Sequence, residues 1–304
     1  MSLLPPLDKL KIPIIGSPLF IISNPDLVIA QCKAGVIGSF PCLNAREGEG
    51  EPNMLEIWLN KINEELDKYN QENPDNPAAP YAVNHIVHKS NVRLQQDIDI
   101  CAKWKAPVWI TSLGARPEVN EVAHQANGIV LHDIINNFFA KKAIEKGADG
   151  LVAVAAGAGG HAGTLSPFAL IQEIREWFDG PLLLSGSIAN GGAVLAAQAM
   201  GADLAYIGSA FIATNEANAD QRYKEMITES SADDIVYTNL FTGVHGNYLK
   251  GSIEAQGLDP NNLEVSDSSK MNFSSGASKP KSWKEIWGSG QGISAVKSIL
   301  PASD

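Results

Sequence analysis

Eight times along this chain a short apolar run passes through a turn of small residues into a helix-like segment, and this alternation limits the fold more than any other feature. The runs lie at 12–15, 36–40, 81–87, 108–111, 128–131, 151–155, 181–184 and 205–207. Each is too apolar for a sheet with one face in water, as expected of parallel strands covered on both sides. Eight strand-then-helix units predict an α/β fold, a closed (β/α)8 TIM barrel. An open doubly wound sheet is the runner-up. No GxGxxG follows the first run, where a dinucleotide-binding fold places it.

The punctuation between runs agrees with this reading. Asn24 and Pro25 form a cap and first-turn pair, Asn136 opens another helix, and Pro117 a third. Ser90 or Asn91 is expected to cap a helix reaching about Trp104. Leu55, Leu59, Ile62 and Leu66 fall at helical spacing within 55–69. The segments KGADGLVAV and MGADLAYIG repeat a Gly-Ala-Asp-strand pattern, as a barrel of similar units does. The barrel is expected over 1–215. Beyond Thr214 the alternation stops, and an acidic stretch, a YTNLFTGVHGNYL run and the Ser/Asn/Gly-rich 266–278 predict a small cap or lid over 216–279. The segment 280–304, with SWKEIWGSGQGISAVKSIL, reads as helical and is expected to pack back on the barrel.

Composition narrows the class of partner. A net charge of -11 opposes polyanion binding, so a nucleic-acid partner is not expected. No run of about 18 apolar residues is present and the N-terminus lacks a signal-peptide layout, which predicts a cytoplasmic protein with no membrane association. Cys32, Cys42 and Cys101 show neither CxxC nor Cys/His ligand spacing and read as reduced, buried small side chains, with no metal expected.

Chemistry in such a barrel sits at the C-terminal ends of the strands. The turns after the seventh and eighth runs, 185–192 and 208–214, combine glycine and serine with helix starts. Glycine lets backbone N–H groups approach an anion without a Cβ in the way, and a helix N-terminus favours negative charge. Small residues also serve tight turns, but two such turns at the strand pair where barrels hold phosphate favour a phosphate cup. His161 follows AGAGG at the end of the sixth run. A histidine titrates near neutrality, so one facing the mouth is a candidate proton donor or acceptor. His85, His88 and His132 near strand ends, His124 on a helix and His245 in the cap rank lower. Asn84, late in the third strand, can bond a planar ring or a neighbouring backbone group.

The AGAGGHAG, SGSIANGG and IGSAFIAT turns, the early PIIGSPL and AVN segments and the late WGSGQG together resemble the nitronate monooxygenase family, also called 2-nitropropane dioxygenases. The likeness spans nearly the whole chain. Flavin-dependent enoyl and quinone reductases on the same barrel share the GGH turn and both phosphate turns. The resemblance implies an FMN-binding barrel that oxidises alkyl nitronates, and nitroalkanes as a further substrate class, with dioxygen to a carbonyl compound and nitrite. On the matched positions, Gly16 and Ser17 would pass beside the flavin ring, Asn84 would hydrogen-bond nearby and Gly159 would pack close to it. Ser185, Gly186, Ser187, Gly208 and Ser209 would take its phosphate, and His161 would face the substrate. Expected partners are the nitronate and dioxygen, with self-association left open. Three positions depart from the family pattern: Val154 stands where many members carry an amide or acid, Asp133 where some carry lysine, and GSPL where APM is commoner. An FMN-dependent NAD(P)H:quinone or enoyl reductase is the nearest alternative, and a flavin- or phosphate-binding protein without turnover is the alternative of another class.

Overall fold

The computed structural model describes residues 3–46, 53–266 and 284–304. Its main sheet has eight parallel strands: β1 (Ile14–Gly16), β2 (Gly38–Pro41), β3 (Tyr81–Ile86), β4 (Val108–Ser112), β5 (Ile129–Ile134), β6 (Gly150–Val154), β8 (Leu182–Ser185) and β9 (Leu204–Ile207). They run in the order β1-β9-β8-β6-β5-β4-β3-β2. A parallel bridge between Ile15 and Ile37 closes the ring, with Gly16 N–H donating to the Ile37 carbonyl at 2.8 Å. The predicted TIM barrel is therefore the observed fold, and every run identified in the sequence forms one of its strands.

Alternation along the strands sorts the side chains into two cores. Ile15, Ala82, Val108, Ile110, Leu131, Val152, Leu183, Leu204 and Tyr206 fill the lumen. The opposite faces, among them Phe40, Val83, Trp109, Val130, Leu151 and Leu184, pack under the helices. Burial on both faces is why the strands read as continuous apolar runs. A 3-10 helix at Leu7–Lys9 plugs the lumen from its N-terminal end, with Leu7 in the lumen cluster.

The surrounding helices are α1 (Pro25–Lys33), α2 (Met54–Glu72), α3 (Leu94–Lys103), α4 (Pro117–Gln125), α5 (Asn137–Glu145), α6 (Pro167–Arg175) and α7 (Gly191–Met200), followed by the short α8 (Ser209–Ile212). Asn24, Asn136 and Asn190 each accept an N–H of the first turn, at 2.8 to 3.0 Å, which fixes where α1, α5 and α7 begin. The start of α3 differs from expectation. Asn91 bonds Arg93 N–H inside a preceding turn, and the helix begins only at Leu94. Local side-chain bonding of this kind competes with helix formation.

Beyond the barrel, α9 (Gln221–Glu229), β10 (Ile235–Thr238), β11 (Gly246–Leu249) and α10 (Lys250–Ala255) form a second layer. Strands β10 and β11 pair antiparallel, and β11 pairs in turn with β7 (Gly160–His161), the two residues at the heart of the glycine-rich turn. The described part of the C-terminal segment departs from the helical expectation: only Gln291–Ala295 is helical, as a 3-10 turn. Glycine at 288, 290 and 292 carries a high entropic cost in a helix. Here it serves close approach instead, since a Cβ on Gly290 would lie 2.7 Å from the Gly157 carbonyl oxygen. Residues 267–279 of the expected cap and 280–283 of the expected C-terminal helix fall outside the described residues.

Candidate active site

The inward positions at the C-terminal ends of the strands change from apolar to polar. Asn84, Ser112, Asp133 and Ser185 follow the lumen cluster, whose upper edge is formed by Tyr206 with Val154 packed against it; the register pairs Val154 with Ser185 and Ser185 with Tyr206. Asn84 Nδ2 donates to Ser112 Oγ at 2.9 Å, and Ser112 Oγ donates to Asp133 Oδ2 at 2.6 Å. Tyr206 lies within the electrostatic reach of Asp133. Asp133 Oδ1 and the Tyr206 hydroxyl are buried and have no hydrogen-bond partner among the described residues. Buried polar atoms are rarely left so, because the desolvation cost is then uncompensated. Two of them at a barrel mouth mark where a polar ligand fits.

Burial pushes the Asp133 carboxyl up to about 6, with the Ser112 bond pulling part of the way back. A carboxyl whose proton affinity is raised in the folded state stabilises the fold fully below its ordinary value, and that contribution is lost as pH rises through the raised one. The change from the ordinary 3.8 to about 6 is worth about 3 kcal/mol. Asp133→Asn keeps an acceptor for Ser112 and removes the charge. In urea unfolding of cofactor-free protein it should match wild type near pH 4 and exceed it by up to about 3 kcal/mol above pH 7. A stability difference that does not vary with pH would remove the buried-carboxylate assignment.

His161 stands at the same end of the barrel, in β7, and the cap shapes its surroundings. The glycines flanking His161 in sequence give this ring little side-chain cover of their own. The structure instead sets Thr242 against it, with His161 Nε2 2.8 Å from Thr242 Oγ1. The Thr242 hydroxyl donates to the Val244 carbonyl at 3.0 Å, so its oxygen accepts from Nε2–H and the tautomer places the ring's acceptor at Nδ1. Desolvation lowers the imidazole to about 4, and the ring is neutral at physiological pH. Tyr237 stacks on His245 and donates to the Ala162 carbonyl, so the cap also holds the backbone beside His161.

The remaining candidates divide into two groups. Ser17 and Gly208 are brought together: a Cβ on Gly208 would sit 3.5 Å from Ser17 Cβ. Ser209 joins them through the C-terminal segment, its Oγ accepting Gly290 N–H at 2.9 Å and lying 3.2 Å from Ser289 Oγ. That segment also crosses the other turns. Gln291 N–H donates to the Gly157 carbonyl, and Gly292 lies against the Ser187 backbone. Gly186 and Ser187 both adopt positive φ, +131° and +58°, which turns the chain sharply after Ser185 at the end of β8.

Two glycines serve packing in the first instance. The space where Gly16 would carry a Cβ is filled by the Gln31 amide from α1, and that of Gly159 by the backbone of Ser289 and Gly290. Ser112, Tyr206, Thr242 and Gln291 were not singled out in the sequence. For Ser112 and Tyr206 a signal exists: counting alternate positions outward from Ile110 and Leu204 reaches them, just as it reaches Asp133 from Leu131. Thr242 and Gln291 come from irregular segments whose approach to the mouth no local pattern encodes.

Comparison with known proteins follows the same outline. The sequence pattern of a family described as nitronate monooxygenase matches residues 2–304. A nitronate monooxygenase from Paraburkholderia phytofirmans is 25% identical over 297 residues, which cover 85% of this chain and 79% of that protein. Among solved structures, nitroalkane oxidase from Streptomyces ansochromogenes superposes with a TM-score of 0.76 at 22% identity, covering 97% of this chain and 94% of that one. FabK from Thermotoga maritima superposes with a TM-score of 0.74 at 21% identity, covering 97% and 90%. The two structures bear on the fold. Among the described residues, no helix is long and apolar enough to cross a membrane.

Proposed function

The chain belongs to the nitronate monooxygenase family and is an oxidoreductase, and from that premise we propose that it oxidises alkyl nitronates with dioxygen to a carbonyl compound and nitrite, using FMN held at the barrel mouth. Bound there, FMN supplies the redox chemistry between the nitronate and dioxygen. The mouth fits such a group on its own chemistry. Asp133 Oδ1 and the Tyr206 hydroxyl offer buried polar atoms to a planar heteroaromatic ring, and the lumen beneath is closed by apolar side chains. At the rim, Gly208 has no Cβ, and one built there would meet nothing nearer than 3.4 Å among the described residues, so its turn is open to an approaching phosphate. In this reading Ser185, Gly186, Ser187, Gly208 and Ser209 line the phosphate side, and Ser17, which packs near Gly208, stays beside the ring. Asn84, and the backbones of Gly16 and Gly159, line the ring side.

The choice of substrate rests on the setting of His161, whose Nε2 is held 2.8 Å from Thr242 Oγ1 and whose ring desolvation drives toward the neutral form. A base with a value of about 4 has little driving force to remove a proton from a carbon acid as weak as a neutral nitroalkane. A nitronate arrives already deprotonated. Its negative charge near the ring favours the protonated imidazole, so His161 takes up a proton as the substrate binds and donates it in a hydrogen bond from Nδ1 to a nitro oxygen. Thr242 keeps Nε2 occupied and the ring in place. The sequence alternatives, an NAD(P)H-dependent reductase and a binding protein without turnover, predict different donors or none.

Nitrite release tests the reading directly. With FMN-loaded protein in air, an alkyl nitronate should give nitrite and the carbonyl compound in equal amounts. The parent nitroalkane, held below its own ionisation, should turn over at least about tenfold more slowly. Equal rates from the two would contradict the substrate assignment, and no nitrite from either would contradict the activity.

A further inference from the structure

We propose that Cys42, His85 and Cys101 form a three-ligand binding site for a zinc ion on the outer wall of the barrel. Cys42 opens a 3-10 helix directly after β2, His85 points outward from β3, and Cys101 lies on the inner face of α3. All three are fully buried. One ligand atom from each falls within 4.8 Å of the others, with Cys42 Sγ 3.7 Å from Cys101 Sγ and 4.0 Å from His85 Nε2. A tetrahedral zinc with bonds of about 2.3 Å to sulfur and 2.0–2.1 Å to nitrogen has S···S edges of about 3.8 Å and S···N edges of about 3.6 Å. The sulfur pair is already at that spacing, the Cys42–His85 edge is longer by a few tenths of an ångström, and the Cys101–His85 edge, within 4.8 Å, would close by at most about 1.2 Å as the imidazole turns toward the ion.

Charge and support also suit a divalent ion. Zinc with two thiolates and one neutral imidazole carries no net charge, so the buried site needs no counter-ion, and loading releases two protons, one from each thiol, to solvent. The His85 ring is held by stacking on Trp109 at 4.8 Å, and Asp97, one turn before Cys101 on α3, lies within electrostatic reach of it. Arg93 ties these parts together, donating to Asp97 Oδ1 at 2.8 Å and to the Ala45 carbonyl just past Cys42 at 2.9 Å. A carboxylate near a ligating histidine raises the basicity of its ring. Thiolate-rich tetrahedral sets select zinc over the hard cations. Spacing along the chain hides this set, because its members come from three different elements. The site would join β2, β3 and α3 and steady the strand that carries Asn84. It does not depend on the redox reading of the barrel mouth.

Zinc content measured by mass spectrometry tests the proposal. Protein refolded with equimolar zinc and then desalted should hold about one ion per chain. Cys42→Ala and Cys101→Ala should each fall to a tenth or less of that, while Cys32→Ala, a buried cysteine outside the set that bonds the Pro80 carbonyl, should keep it. Cobalt in place of zinc gives a readout on wild type alone: intense thiolate-to-metal absorption and the red-region bands of a tetrahedral ion. Wild type holding no more zinc than Cys42→Ala, a cobalt spectrum without thiolate bands, or a Cys42–Cys101 disulfide in freshly made protein would each overturn it.

Discussion

Replacing His161 by alanine is expected to lower kcat/KM for an alkyl nitronate by about a hundredfold while the purified protein stays yellow. The size follows from losing one charge-assisted hydrogen bond to the substrate, about 1.5–3 kcal/mol. The yellow colour should persist if, as proposed, the His161 ring faces the substrate and the flavin phosphate is held by the turns after β8 and β9. The fold should also survive, since β7 pairs with β11 through the backbone at Gly160 and His161 and alanine keeps those bonds. His161→Gln, which retains a neutral donor, should recover part of the loss. The pH profile gives a second check. Before substrate binds, His161 stays neutral down to about 4, so the acid limb of kcat/KM should show no titration at the ordinary histidine value of about 6.5. Unchanged turnover in the alanine variant would remove His161 from the reaction.

The second large effect is expected at Gly208. Its φ of -112° is ordinary for any residue, and a Cβ there would make only normal contacts with Leu19 and Ser17. Gly208→Ala should therefore fold and keep at least part of its flavin. Gly208→Asp puts a negative charge where the phosphate of FMN would sit, and should give colourless protein with unchanged thermal unfolding of the cofactor-free form. Absorbance at the flavin maximum, divided by protein concentration, reads the outcome. Normal flavin content in the aspartate variant would move the phosphate away from this turn. A fall in flavin content for alanine as large as for aspartate would point to shape instead of charge.

Much of the architecture was legible because the barrel repeats one physical rule. Strands buried on both faces read as apolar runs, and the asparagine caps at 24 and 136 mark helix starts through a local bond that sequence displays. Boundaries failed where bonding was less direct, as at Asn91, whose side chain closes a turn ahead of α3. The polar layer of the mouth was only half visible. Asn84 and Ser185 are visible in the sequence, while Ser112 and Tyr206 read as parts of apolar strands unless alternation is followed through the lumen. His161 was legible as a candidate, but its environment was not, because Thr242 is 81 residues away in sequence. The same limit applies to the strap from Gly288 to Gly292. Its glycines resemble helix breakers or linker residues locally, and their role appears only when the turns at 157–159, 187 and 209 are seen beneath them.

The Asp133 and Val154 departures acquire a physical meaning in this arrangement. Both are inward positions of the mouth layer, so they alter the polarity of one wall without disturbing the strands that carry them. Asp133 is held by Ser112 on one oxygen and leaves the other toward the mouth.

The central claim is that a nitronate is the electron donor to a flavin in this mouth, and anaerobic mixing tests it most directly. FMN-loaded protein is mixed without oxygen with an alkyl nitronate and, separately, with NADH, and the visible flavin absorbance is followed in time. The nitronate should bleach the flavin within the turnover time, NADH should bleach it at least about a hundredfold more slowly, and admitting air should restore the colour. Rapid bleaching by NADH with none by nitronate would contradict the account and make the chain a reductase on the same barrel.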